Sequence, residues 1–162
     1  MTKRLLGYAA FGLLTILVQK FLDNFATIDM VSPQLVVLFV VYIALREGQL
    51  FAMEGGFVIG FFHDLLVTHF LGFTAIIGVI AGFVAGFFYK ESDIELAAKT
   101  FSFAWISAIS VLISELAVMP IIASGELNFL YVFLKFTIGT TAYTSVFAMV
   151  IVFINGNKSR YV

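Results

Sequence analysis

Of the 162 residues, 62% are apolar and 12% are charged, with a formal net charge of −1 and a mean hydropathy of +1.09. Soluble domains carry about 45–50% apolar and about 25% charged residues, and a water-soluble fold could not hide this much apolar surface, so lipid is the expected solvent. The absence of cysteine excludes disulfides and thiolate metal sites. A nearly neutral chain without a basic stripe gives no footing for nucleic acid.

Charges punctuate the chain, and the apolar runs between them predict an all-α polytopic membrane protein: a single transmembrane domain over residues 1–162, built as a bundle of six transmembrane helices. The first run, 5–22, follows Lys3 and Arg4 and resembles the start of a signal peptide. No small-residue cleavage site closes it, because Gln19, Lys20, Phe21 and Leu22 follow, so it is read as a retained helix. A polar connection leads to Pro33, a residue tolerated in the first turn of a helix. The second run, 31–45, stops at Arg46-Glu47-Gly48. It is short for a hydrocarbon core of about 30 Å at about 1.5 Å per residue, so neighbouring helices are expected to shield it. The third run, 49–67, meets a tight turn at Thr68-His69 before the fourth, 70–89. Residues 90–99 (KESDIELAAK) form the hydrophilic loop. The fifth run, 100–122, carries Pro120 near its end, and the sixth, 127–154, is over-long and interrupted at Gly139.

Six crossings place both termini on one side. Lys3, Arg4, Arg46, Lys90, Lys99, Lys158 and Arg160 then share that side, whereas the opposite loops hold Asp23, Asp29 and Glu126. The excess of Lys and Arg predicts that both termini are cytoplasmic. Tyr8, Tyr42, Tyr89 and Trp105 cluster near the same boundary, where amphipathic rings anchor.

Gly78, Gly82 and Gly86 recur at every fourth position of the fourth run, and Gly56 and Gly60 do so in the third. Such ridges let helix backbones approach closely. They predict helix packing between these two neighbours, or a groove for a partner's membrane helix. Apart from Lys20 near the end of the first run and His63, four ionisable residues lie inside the runs: Glu54, Asp64, Glu115 and Lys135. Each is costly in hydrocarbon and calls for a partner, water or a function. Asp64 shares the glycine face and is placed to reach water or to cap the following turn; Glu54 is placed to hydrate or to meet Arg46. Glu115 and Lys135 flank the turn near Gly125 at equal separation, which predicts an ion pair across an antiparallel hairpin; the alternative is that Lys135 snorkels outward and Glu115 faces a different helix or is protonated.

Catalysis finds no constellation. His63 adjoins Asp64, but neighbours on a helix point about 100° apart and should not form a dyad. Ser107, Ser110, Ser114, Thr137, Thr140 and Thr141 lie on helices without an adjacent base, and no HExxH, GxSxG, Walker or EF-hand pattern occurs. No enzymatic activity, no cofactor and no metal are expected.

One stretch carries a resemblance. Pro33, then Leu38-Phe39-Val40-Val41-Tyr42-Ile43-Ala44-Leu45-Arg46-Glu47-Gly48, then Gly56, Gly60-Phe61-Phe62-His63-Asp64-Leu65-Leu66, then Phe70-Leu71-Gly72-Phe73-Thr74-Ala75 resembles the rod shape-determining protein MreD family. Pro33, Gly56, Gly60, Asp64 and Gly72 match positions typical of that family, whereas His63 stands where an apolar residue is common. The resemblance implies a non-enzymatic inner-membrane scaffold of the bacterial cell-elongation machinery. It implies MreC as partner, a complex with MreB and the peptidoglycan synthases, and a fold similar to the substrate-binding subunits of energy-coupling-factor transporters. The competing expectation is a vitamin-type transporter subunit with an outward polar pocket, to which Gln19, Lys20, Asp64, Glu115, Asn128 and Lys135 would contribute. Scarce outward loop sequence, from which a lid would be built, favours the scaffold.

Overall fold

A computed structural model describes residues 2–27, 31–67, 71–90, 101–123 and 129–158. Within them lie six helices: α1 Thr2–Phe25, α2 Leu35–Glu47, α3 Gln49–Leu66, α4 Phe73–Gly86, α5 Phe101–Ala123 and α6 Phe129–Lys158. Three contain stretches long and apolar enough to cross a membrane, at Leu6–Phe25, Phe101–Val118 and Phe133–Phe153; α4 is apolar but shorter. The hydrophilic loop beyond Lys90, the turns at Thr68-His69 and around Gly125, and Asp29, Glu126 and Asn128 lie outside the described residues.

The centre of the fold is α2. Val36 to Val41 and Ile43 to Leu45 are all buried, which is the condition of a helix apolar on every face. It touches every other helix. Around it the remaining helices pack in the order α1, α3, α4, α5, α6, and among the described residues α6 does not close back onto α1. The result is a ring with one gap.

Two sequence expectations change here. The second apolar run was expected to be helical from residue 31 with Pro33 in its first turn, but α2 begins at Leu35, with Pro33 preceding the N-cap residue Gln34. Val31 and Pro33 are nonetheless buried, so a short non-helical segment enters the bundle and completes what α2, about 20 Å long by helix rise, leaves unfilled. The expected interruption at Gly139 is absent, because α6 runs unbroken through it. A Cβ at Gly139 would stand 3.2 Å from the Val31 side chain, so this glycine makes room for the non-helical segment.

Candidate functional site

Three features of the bundle could do chemistry or recognition. The first is the seam between α3 and α4, the most extensive helix contact in the fold. Gly56 and Gly78 face each other there: a Cβ on either would lie 2.5 Å from the other's carbonyl oxygen. A Cβ on Gly60 would meet the Ala75 Cα at 2.6 Å, and one on Gly82 the Ala52 carbonyl carbon at 2.9 Å. Gly86 similarly lies on Gln49, whose Cα would be 2.6 Å away. These separations leave no space for any side chain, so dispersion and weak backbone contacts act over the whole seam. The ridge is filled by the protein's own helices.

Asp64 closes one end of this seam. Its Oδ2 accepts the Thr74 N–H at 3.0 Å and the Ala75 N–H at 3.4 Å, and its Oδ1 accepts Thr74 N–H at 3.2 Å. The first amides of α4 have no partner within the helix, and a carboxylate aligned with the positive end of the helix dipole satisfies them. Gly72, at φ +93°, supplies the left-handed turn that brings α4 back under Asp64. His63 Nδ1 lies 3.2 Å from Thr74 Oγ1 and 3.8 Å from Asp64 Oδ1. The second distance is closer than helix geometry alone suggests, yet too long for a hydrogen bond. The two side chains converge on Thr74 rather than on each other.

The second feature is a polar node where the chain enters α2. Gln19 on α1 is buried; its Nε2 donates to the Pro33 carbonyl at 2.8 Å and its Oε1 accepts the Leu35 N–H at 2.7 Å. Thr144 on α6 accepts the Gln34 N–H at 3.1 Å. Gln34 Nε2 in turn donates to Glu115 Oε1 on α5. Non-helical backbone is tolerated inside a membrane bundle only where side chains satisfy its exposed groups, and here two side chains from flanking helices do so. Tyr143 adds a bond from its hydroxyl to the Ala26 carbonyl at 2.8 Å, fastening the end of α1 to α6.

The node corrects the expected Glu115–Lys135 pair. Glu115 is 2% exposed, one of its oxygens accepts from Gln34, and the other has no hydrogen-bond partner among the described residues. Equal spacing from the turn set the depth of the two residues, but the buried approach to α2 brings Gln34 to the carboxylate instead. Lys135 lies 6.0 Å from the Tyr131 ring centroid on its own helix. Glu54 is exposed. Of its two expected placements, hydration or contact with Arg46, the exposed one holds, and Arg46 is engaged within α2: its Nη1 donates to the Tyr42 hydroxyl at 2.6 Å, with its guanidinium 5.5 Å from that ring. The hydrogen bond to Tyr42 raises Arg46 further above its ordinary pKa.

Sequence reasoning passed over the serines and threonines because no base stands beside them. Ser107, Ser110 and Ser114 on α5 and Thr137, Thr140 and Thr144 on α6 are all buried. Each set repeats at helical spacing, which was a readable sign of a buried polar face on each helix. Ser114 hydroxyl donates back to the Ser110 carbonyl at 2.5 Å, as hydroxyls do inside apolar helices. Gln34 offered no comparable periodic sign.

The third feature is the gap in the ring, a groove of about 1020 Å³ between α1 and α6 with α2 as its floor. Leu14, Leu38, Phe39, Phe103 and Ile151 line it, and Arg4, Arg46 and Glu47 stand at one end. Tyr8 bridges that end, donating its hydroxyl to Glu47 Oε1 at 2.7 Å.

Among the described residues no group of three or more His, Cys, Asp or Glu side chains is placed to hold a metal ion. The fold and its polar node define an all-helical membrane protein whose buried polar residues serve helix packing and the satisfaction of buried backbone. The model of the rod shape-determining protein MreD family matches residues 2–155, and the chain belongs to that family. No curated protein and no solved structure matches it. The family is one of shape-determining structural membrane proteins, not known as enzymes, and membership gives the chain a part in determining rod shape.

Proposed function

We propose that the chain is a non-enzymatic scaffold of the bacterial cell-elongation machinery, binding MreC within a complex that includes MreB and the peptidoglycan synthases. In this reading it is a single domain of the inner membrane, with six crossings, both termini in the cytoplasm, and a fold similar to the substrate-binding subunits of energy-coupling-factor transporters. The observation that carries the reading is the family match, which runs from the start of α1 to within α6. The charge asymmetry of the loops supports the orientation. Partner contact is assigned to outward helix faces, because α3 and α4 fill the glycine seam themselves. Gly56, Gly60, Gly78, Gly82 and Gly86 then act as internal packing, and Asp64 and Glu115 as structural polar residues.

Purification in mild detergent from cells carrying MreC tests the proposal. MreC should co-purify in a fixed ratio; recovery of the protein with a bound small metabolite and without MreC would support the transporter alternative instead.

A further inference from the structure

The gap between α1 and α6 has a shape that restricts what can occupy it. At one end α1 is fastened: Gln19 bonds Pro33 and Leu35, and Tyr143 bonds Ala26. The groove therefore stops near Val18 and Leu35. Toward Arg4 the helix keeps contact along one face only: Gly12, where a Cβ would stand 3.1 Å from Ile59, Phe11 stacked on Phe39 at 5.9 Å, and Tyr8, bonded to Glu47 and set against the Phe51 ring at 5.8 Å. From Arg4 to Val18 the wedge runs roughly 21 Å by helix rise. That exceeds the roughly 15 Å of hydrocarbon in one leaflet but falls short of the roughly 30 Å that a crossing helix needs. A partner's transmembrane helix would collide with the closed end, whereas a chain entering from one leaflet would not.

The open end carries the second clue. Arg4 and Arg46 both line it, and neither forms an ion pair among the described residues. The single acidic residue there, Glu47, receives the Tyr8 hydroxyl. Tyr42 holds the Arg46 guanidinium in place. Two arginines above an apolar wedge match an anionic headgroup on acyl chains, and basic pockets between membrane helices bind such lipids. Along α1, Gly7 has nothing within 4 Å of where a Cβ would stand, so the wedge is wide at the headgroup end.

We propose that this groove is a binding site for one anionic phospholipid, its phosphate between Arg4 and Arg46 and its acyl chains along Leu14, Leu38 and Phe39. The lipid closes the ring that α6 and α1 leave open. Occupancy by lipid is independent of which protein partners bind elsewhere on the bundle.

The test offers the purified protein equal phosphatidylglycerol and phosphatidylcholine with identical acyl chains and counts the bound lipids by native mass spectrometry. One phosphatidylglycerol should be retained in preference. Replacing both arginines (R4Q with R46Q) should lower that preference about fivefold per arginine, the electrostatic worth of one such residue at an anionic surface. A second variant fills the wedge and keeps the charges: G7F with L14W should reduce retention of both lipids at an unchanged melting temperature. Equal retention of the two lipids by the unaltered protein would overturn the proposal. So would a preference that survives both variants, or a photo-crosslinker at Leu14 that captures a polypeptide in place of phospholipid.

Discussion

At the scale of single residues, the buried polar groups of this bundle answer to backbone amides and carbonyls more than to one another. Asp64 is the clearest case, since both its oxygens serve the first turn of α4. Asp64→Ala strands those amides and should lower stability by about 1–2 kcal/mol, the usual cost of losing a helix cap. Asp64→Asn keeps one acceptor and should cost less. Thermal unfolding in detergent reads both, and an Ala variant as stable as the parent would remove the capping role. Glu115 and Gln34 make the complementary case, a side-chain pair between α5 and the start of α2. Glu115→Leu and Gln34→Leu each leave a buried polar partner unsatisfied, at about 1–3 kcal/mol, and the double variant should be milder than their sum. The same cycle run on Glu115 and Lys135 should be additive within about 0.5 kcal/mol. Coupling to Lys135 with none to Gln34 would reverse the assignment.

At the scale of elements, α3 and α4 form the tightest unit because glycine removes the side chain at five points of their contact. Gly56→Leu would drive a side chain into the Gly78 carbonyl, 2.5 Å from the first added carbon. Neither backbone can retreat without separating the helices, so the loss should reach about 3 kcal/mol, the upper end of overpacking costs. Thermal unfolding checks this, and a variant of parental stability would show that the seam is looser than the geometry requires. This part of the fold was legible in advance, since the spacing of Gly56, Gly60, Gly78, Gly82 and Gly86 repeats along one face of each helix. The start of α2 was not. Ser32, Pro33 and Gln34 stand between Val31 and the apolar run, and whether that proline opens the helix or precedes it is decided by the bonds from Gln19 and Thr144, distant in sequence. For the same reason Glu115 was matched to the wrong partner. Spacing from a turn gives depth, but rotation about the helix axis decides contact, and rotation depends on packing that sequence does not carry. Gly139 shows the converse error: a glycine read as a break is a notch in an intact helix, cut for Val31.

At the scale of the whole molecule, a central apolar helix inside an incomplete ring suits a protein whose solvent is lipid. Three of its helices contain stretches long enough to cross a bilayer on their own, while α2 is buried within the bundle and α3 and α4 pack against one another. If all six cross, a reporter active only outside the cytoplasm should be silent when fused after Val162 and active when inserted after Gly125. The opposite pattern would invert the orientation. The most direct test of function is made in rod-shaped cells from which the native copy of this protein has been depleted. Scaffolding predicts that such cells round up, and that the intact chain restores their rods. Depleted cells that keep their shape and instead lose uptake of a small nutrient would contradict it.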